Sequence, residues 1–366
     1  MKVAIDARKL FDGGIGAYVR GLLGALATRR EGHEFVALMP PELLGRVSWP
    51  NDTVIETPVT AGKYGFAEHF VVPRAATRAG ARLLHAPHYT LPLLWTGPAV
   101  VTIHDLIHLR FPSFHPTGAA TYARLMAGFA AKRAQLVIAD SEYGRQEIVS
   151  LLGIEASKVR VIPLAPAAGL APAGDEAVLA FRTERRLPPD YVLYVGARKR
   201  HKNLEVLMRA IAILARTERP PLVLSGSPWS AQDDLARLAR VLGIEDTIAF
   251  AGPLQNDGEL ACLYSGARVY AQPSLAEGFG LPPLEAMACN VPVIASNVTA
   301  MPEVLGHAAR LVPPDQPEAW AAALRDVLSN EWERTRMTLA GRTRAESFTW
   351  AKTAEQTMKA YEEAVG

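Results

Sequence analysis

Short, unbroken apolar runs alternate with helical segments from one end of this 366-residue chain to the other. The first half carries VAID (3–6), EFVAL (34–38), LLHAP (83–87), AVVTIHD (99–105), QLVIADS (135–141) and VRVIPLA (159–165). Segments such as Gly16–Thr28 and Thr117–Arg133 lie between them with helical spacing. A strand that is apolar at nearly every position has to be covered on both faces, the situation of a parallel strand between two helical layers. The pattern therefore predicts an α/β fold of doubly wound parallel sheets. A chain of this length exceeds one ordinary core, so two such domains are expected.

The break between them falls at APAAGLAPAGDEA (165–177), rich in Ala, Pro and Gly and without periodicity. Beyond it the alternation resumes with YVLYVG (191–196), PLVLSG (221–226), IAFAG (248–252), RVYAQPS (268–274) and VPVIAS (291–296), with helices at 204–214, 231–242, 257–266 and from about Pro283. Residues 317–365 read as helical throughout. The expected organisation is a domain at 1–165, a linker at 166–188 and a second domain at 189–347. Doubly wound sheets bind ligands beyond the carboxyl ends of their strands, so two in series predict two Rossmann-like domains facing a central cleft that can open and close.

The net charge of +2 excludes little, but residues 1–165 carry 18 Lys and Arg against 13 Asp and Glu. That excess suits an acidic acceptor or an anionic lipid surface, and equally an ordinary solvated surface. Cys262 and Cys289 make no disulfide framework and read as buried thiols in a reducing compartment. MKVAIDARKL enters a strand pattern directly, which argues against a signal peptide, and no apolar run reaches the ~18 residues of a membrane span. These features place the protein in the cytoplasm, with room for peripheral contact at the inner face of a membrane.

Four segments carry chemistry. In AEGFGLPPLEAMA (276–288) a loop at a strand end runs into a helix through Pro282 and Pro283, residues tolerated in a first turn. Gly278 and Gly280 permit a close approach or a positive φ, and the amides of Phe279, Gly280 and Leu281 are expected to converge at the helix N-terminus. Glu277 in the loop and Glu285 in the first helical turn frame that spot, as suits sugar and ribose hydroxyls. VGARKRHKN (195–203), at another strand end, gathers Arg198, Lys199, Arg200, His201 and Lys202 before a helix and reads as a phosphate cradle. In TIHDLIHL (102–109) His104 stands at a strand end, with Asp105 able to orient it. DARKLFDGGIGAYVRGLL (6–23) fails the dinucleotide fingerprint, because Val19 stands where a third glycine is needed, and reads as a flexible loop around Gly14 and Gly16.

Together these segments resemble the retaining family-4 glycosyltransferases of the GT-B fold. The carrying signature is Glu277-Gly278-Phe279-Gly280-Leu281 with Glu285, an E-x7-E spacing, supported by GARKRHKNLEVL, the HDL at 104–106, GGIGAYV and FTWAKTAEQTMKAYEEA. Asn290 departs from it, standing where the family usually has glycine, though asparagine can also take a left-handed turn. The resemblance implies that Lys202 and Arg198 hold the donor diphosphate, with Arg200 the alternative arginine. It implies that Glu285 binds the donor ribose and that Glu277, with the amides of Phe279 to Leu281, holds the transferred sugar. His104 reaches that sugar, Gly14 and Gly16 lie where donor phosphate and acceptor meet, and residues 348–366 form a helix that crosses back to the first domain. GDP-mannose is the first expectation for the donor and a UDP-sugar the next; a glycan or lipid-linked molecule is the acceptor. No Asp-x-Asp metal motif occurs in the chain, so neither metal nor cofactor is expected.

Other chemistries fit less well. A glycoside hydrolase also uses two carboxylates but has no need of a diphosphate cradle. A zinc site built from His85, His88, His104 and His108 lacks supporting spacing. A non-catalytic nucleotide-sugar or glycan-binding protein of the same fold remains the alternative from another class.

Overall fold

Seven parallel strands form the first sheet: β1 (Lys2–Asp6), β2 (Glu34–Met39), β3 (Val54–Pro58), β4 (Leu83–Ala86), β5 (Ala99–Ile103), β6 (Leu136–Ala139) and β7 (Val159–Val161), in the order β3-β2-β1-β4-β5-β6-β7. Six parallel strands form the second: β8 (Tyr191–Tyr194), β9 (Leu222–Leu224), β10 (Ile248–Phe250), β11 (Ala267–Gln272), β12 (Val293–Ser296) and β13 (Ala309–Val312), in the order β10-β9-β8-β11-β12-β13. This computed structural model describes residues 1–29, 32–50 and 53–366. The chain divides into two compact units, 1–165 with 348–366, and 166–347. Each is a doubly wound α/β unit whose interior strands are buried along most of their length, as their apolar runs require.

In each sheet the winding reverses once, between β1 and β4 in the first and between β8 and β11 in the second. At such a switch point the connections from neighbouring strands leave in opposite directions and open a crevice at the carboxyl ends. The loops after β1, β4, β8 and β11 are therefore the places where the fold itself offers a site.

Several expectations are corrected by the structure. β3 and β13 are absent from the apolar-run reading because neither is an unbroken apolar run: Glu56 and Thr57 interrupt β3, and Arg310 interrupts β13. The expected linker 166–188 contains a helix, Asp175–Arg185, started by Gly174 with acidic residues in its first turn and held by buried Phe181. The segment 317–365 is three helices, Pro317–Ser329, Glu331–Glu346 and Trp350–Val365. Asn330 and Thr349 cap the second and third by accepting hydrogen bonds from the N–H groups of Glu333 and Lys352.

The last helix packs on the first unit. Thr353 donates to the Pro163 carbonyl at 2.7 Å, and the Trp350 ring lies against the helix Gly13–Ala27 at Gly21. Beneath it runs a buried polar chain. Tyr361 and His85 Nδ1 are 2.6 Å apart, His85 Nε2 and the Thr102 hydroxyl 2.8 Å, and Thr102 and the Tyr18 hydroxyl 3.0 Å. Burial, with a smaller effect of His104, pushes the His85 imidazole down to about 3, so it stays neutral and serves the packing.

A Cβ added at Gly21 would lie 2.1 Å from the Trp350 ring. An open mid-helix glycine replaced by alanine gains up to about 1 kcal/mol. Gly21→Ala should instead destabilise by about 1–3 kcal/mol through overpacking. Chemical denaturation reads the sign, and a stabilised variant would refute this account of the helix contact.

Candidate active site

The loops after β8 and β11, on either side of the second switch point, are tied together by their backbones. Leu275 N–H donates to the His201 carbonyl at 2.7 Å, and Asn203, in a left-handed conformation (φ 54°), donates through Nδ2 to the carbonyls of Pro273 and Pro314. This geometry brings Lys202 and Glu277 into direct contact: Nζ lies 2.7 Å from Oε1 and 2.9 Å from Oε2. Gln272 Nε2 and the Ser274 hydroxyl also donate to Oε1, at 2.7 and 2.6 Å, and the Glu277 N–H donates to the Thr299 hydroxyl at 3.0 Å. Thr299 holds that position at φ 57°, a left-handed backbone rare for a β-branched residue and a mark of local strain. Burial of Glu277 favours its neutral form, but the Lys202 cation and the donated hydrogen bonds outweigh it and hold the carboxyl below its usual value.

Glu285 meets a different environment. Gly280 turns the chain at φ 101°, and a Cβ there would lie 2.2 Å from the Met301 methyl, so only glycine fits. The helix Leu281–Ala288 follows at once, which places Glu285 in its second turn rather than the first: the left-handed turn at Gly280, not the prolines, sets the start. Its side chain is buried, 9 % exposed as a residue, and accepts from the Tyr264 hydroxyl at 2.9 Å. Burial raises its pKa, and the single phenol only partly opposes that. Phe279 is buried in the same unit, and Leu281 opens the helix. Arg198 is half exposed, 3.8 Å from the Asp233 carboxylate, and Arg200 is exposed in the short turn Arg200–Lys202.

In the first unit His104 follows β5 and Asp140 follows β6. These strands pair Ile103 with Ala139, so the next residue of each is a neighbour across the ladder. His104 Nδ1 lies 2.7 Å from Asp140 Oδ2, and the Tyr18 ring packs edge-on against the imidazole at 4.8 Å between centroids. Burial opposes the imidazolium, yet the Asp140 carboxylate more than offsets it and raises the His104 pKa. Gly14 and Gly16 belong not to a flexible loop but to the helix Gly13–Ala27. Gly16 is needed because a Cβ would come within 2.6 Å of the Leu10 carbonyl oxygen, the helix start resting on the preceding loop, while Gly14 meets no such obstacle.

Sequence reasoning did not find Asp140, Gln272, Thr299 or Tyr264. Of these only Asp140 left a signal, an acid closing an apolar run just as His104 closes its own. Asn290 takes φ 61°, the left-handed turn that lets it stand in place of glycine. Among the described residues no group of three or more His, Cys, Asp and Glu is arranged to hold a metal ion, and no helix is long and apolar enough to cross a membrane. Cys262 and Cys289 are free and buried, and burial pushes the Cys289 thiol up to about 12.

Two family models match the chain in succession, Glycosyltransferase Family 4 over residues 12–165 and Glycosyl transferases group 1 over residues 176–344. The O-antigen chain mannosyltransferase B of Escherichia coli is 33 % identical over 76 % of this chain and 74 % of its own. This chain belongs to the family-4 glycosyltransferases. A D-inositol 3-phosphate glycosyltransferase of Kineococcus radiotolerans is 32 % identical over 74 % of the chain and 67 % of its own. Among solved structures, sucrose-phosphate synthase from Thermosynechococcus elongatus superposes with a TM-score of 0.80 at 23 % identity, covering 99 % of this chain and 98 % of that one. Anabaena HepE in complex with UDP-glucose superposes with a TM-score of 0.78 at 17 % identity, covering 99 % of each chain. The two Rossmann-like units are thus those of a GT-B glycosyltransferase.

The raised pKa of Glu285 in this glycosyltransferase has a consequence for stability. A carboxyl whose folded pKa exceeds its unfolded value contributes most below the unfolded value of about 4.3, and that contribution is lost as pH rises through the folded pKa. Glu285→Gln should therefore raise the melting temperature at pH 7, by about 2–4 °C for each kcal/mol recovered, and change it little near pH 4. Equal shifts at both pH values would show that the carboxylate is not the strained group.

Proposed function

We propose that this glycosyltransferase moves a hexose, mannose in the first instance, from a nucleoside-diphosphate sugar to a glycan or lipid-linked acceptor in polysaccharide biosynthesis, with retention at the anomeric carbon and without a metal. The observation that carries the reading is the two-pronged contact of Lys202 with Glu277 at the second switch point, a cation and an acid held side by side where a donor would lie. The similarity to an O-antigen chain mannosyltransferase supports mannose and hence GDP-mannose. A UDP-sugar stands next, because the structurally similar HepE is in complex with UDP-glucose.

The chemistry follows from charge. As the sugar leaves, negative charge grows on the β-phosphate while the anomeric carbon becomes oxocarbenium-like. Lys202, Arg198 and the amides of Phe279, Gly280 and Leu281 at the helix start stabilise the departing diphosphate. With Lys202 drawn toward the phosphate, Glu277 accepts hydrogen bonds from the sugar hydroxyls, and Glu285 does so from the ribose. His104, whose proton Asp140 favours, donates to the transferred sugar. The departing phosphate takes the acceptor proton on the face it vacates, which gives retention without a protein nucleophile. A cytoplasmic setting, with the basic first half of the chain toward an anionic lipid surface, belongs to the same proposal.

Calorimetric titration with GDP, UDP and ADP in EDTA tests the reading directly. Tight binding of one of them names the base, and no binding of any removes the donor site. Lys202→Ala should lower kcat/KM by about 10²–10³-fold and weaken binding of the diphosphate, and unchanged diphosphate affinity would move Lys202 out of the cradle. Glu277→Gln should impair transfer far more than binding of the free nucleoside diphosphate, which carries no sugar.

A further inference from the structure

The two carboxylate oxygens of Glu277 are held unequally. Oε1 accepts from three donors, Lys202 Nζ at 2.7 Å, Gln272 Nε2 at 2.7 Å and the Ser274 hydroxyl at 2.6 Å. Among the described residues, Oε2 accepts only from Lys202 Nζ, at 2.9 Å. A carboxylate oxygen has about two lone-pair sites, so Oε1 stays filled even when the lysine leaves. Oε2 does not. The side chains of Glu277 and Lys202 keep 10 % and 19 % of their surface exposed, whereas Gln272 and Ser274 are wholly buried. A ligand can therefore reach the pair but not the groups beneath it.

Gln272 decides which oxygen is clamped. It ends β11, and its amide can lie in two orientations, of which its neighbours accept one. The Tyr270 hydroxyl, 3.2 Å from the Val195 carbonyl, donates to the amide oxygen. The amide Nε2 places its two hydrogens on the Ser274 hydroxyl and on Glu277 Oε1, each at 2.7 Å. Turned over, the amide would set its oxygen against the carboxylate, acceptor against acceptor. Tyr270 keeps its proton, because burial above all pushes its pKa well up. Ser274 completes the set by accepting from Gln272 and donating to Glu277.

This arrangement prepares Glu277 for a sugar in one sense only. In the transfer reading, the donor diphosphate draws Lys202 away. Gln272 and Ser274 then remain on Oε1, and the Glu277 N–H stays on the Thr299 hydroxyl at 3.0 Å, so the carboxylate keeps its place. Oε2 meanwhile loses its single donor where little water reaches it. An ionised oxygen in that state is unfavourable until another donor replaces the lost one. A hydroxyl of the transferred sugar arrives with the diphosphate and can supply it.

We propose that Gln272, assisted by Ser274, is a positioning residue for the transfer: it fixes Oε1 of Glu277 so that Oε2 alone accepts from a hydroxyl of the transferred sugar. The inference rests on the transfer reading above and adds to it the oxygen that meets the sugar and the buried amide that turns it there. A free nucleoside diphosphate carries no sugar and gains nothing from this clamp.

The test titrates the full chain with GDP-mannose and GDP, or with UDP-glucose and UDP where the uridine pair binds. Gln272→Met keeps the shape and removes the donor. It should weaken the nucleotide-sugar at least about five-fold and change the free diphosphate by less than about two-fold, the loss of one charge-assisted hydrogen bond. Both affinities at the wild-type level overturn the clamp and leave the transfer reading standing. Where both fall together, Ser274→Ala decides: the same split supports the clamp, and no split overturns it. Gln272→Glu separates donation from space-filling. At about pH 8 its introduced carboxylate repels Glu277, so the nucleotide-sugar should bind more weakly than to Gln272→Met. Toward about pH 6 the two acids share a proton, donation returns, and binding should recover relative to the wild type. Lys202, His201, Tyr194 and Tyr270, the other titratable groups facing Glu277, are common to all variants and cancel in that ratio. Wild-type affinity of Gln272→Glu at the higher pH, or a ratio that does not move with pH, overturns the clamp. A wild-type chain that binds neither member of either pair overturns the transfer reading and the clamp with it.

Discussion

One contact governs the second unit: an ammonium and a carboxylate drawn largely out of water together at the ends of two parallel strands. Burying either alone costs several kcal/mol, and mutual attraction offsets this only when the geometry is good and the remaining lone pairs are filled. The structure meets both conditions. Lys202 engages both oxygens of Glu277, while Gln272 and Ser274 add two hydrogen bonds to Oε1. The left-handed backbones of Asn203, Thr299 and Gly280 hold the loops in the positions that allow it. Regular packing elsewhere, around buried Trp320, Tyr191 and Leu207, supplies the stability that such a site consumes.

Environment, more than residue type, sets what each acidic group does. Glu277 and Glu285 are the same residue eight positions apart, yet a lysine holds one ionised while burial beside a phenol favours the neutral form of the other. Two carboxylates driven in opposite directions divide a site into one part that bears permanent charge and one that gains by acquiring hydrogen-bond donors. His104 follows the same rule with the sign reversed, because Asp140 raises its pKa against the pull of burial.

How much of this was legible in the sequence depended on range. Interior strands announce themselves, since covering both faces leaves few polar positions; β7 and β10, though at sheet edges, were read as well, whereas Glu56, Thr57 and Arg310 break the runs of β3 and β13. The family signature singled out Glu277 and Lys202, which the structure brings into contact, and Gly280 takes the positive φ that its place in the loop suggested. Gly14 and Gly16 were misread because a glycine that relieves a close approach, as Gly16 does against Leu10, looks the same in sequence as one that loosens a loop. Gln272 and Thr299 depend on loop packing, which no local spacing records, and although Asp140 visibly closes an apolar run, its pairing with His104 depends on register between strands. The Asp175–Arg185 helix was hidden by the Ala-Pro-Gly run before it, although its acidic start is visible once sought.

The return of the last helix to the first unit makes that unit discontinuous in sequence, with the whole of 166–347 inserted between β7 and its final helix. On the ribosome, the first sheet emerges long before the residues that complete it. At ~5–20 residues per second the wait is on the order of ten to forty seconds. Throughout that interval His85 lacks Tyr361, and the groove at Gly21 lacks Trp350. The nascent first unit must persist as an unfinished intermediate with a bare face, and the second unit has time to fold before the first is closed.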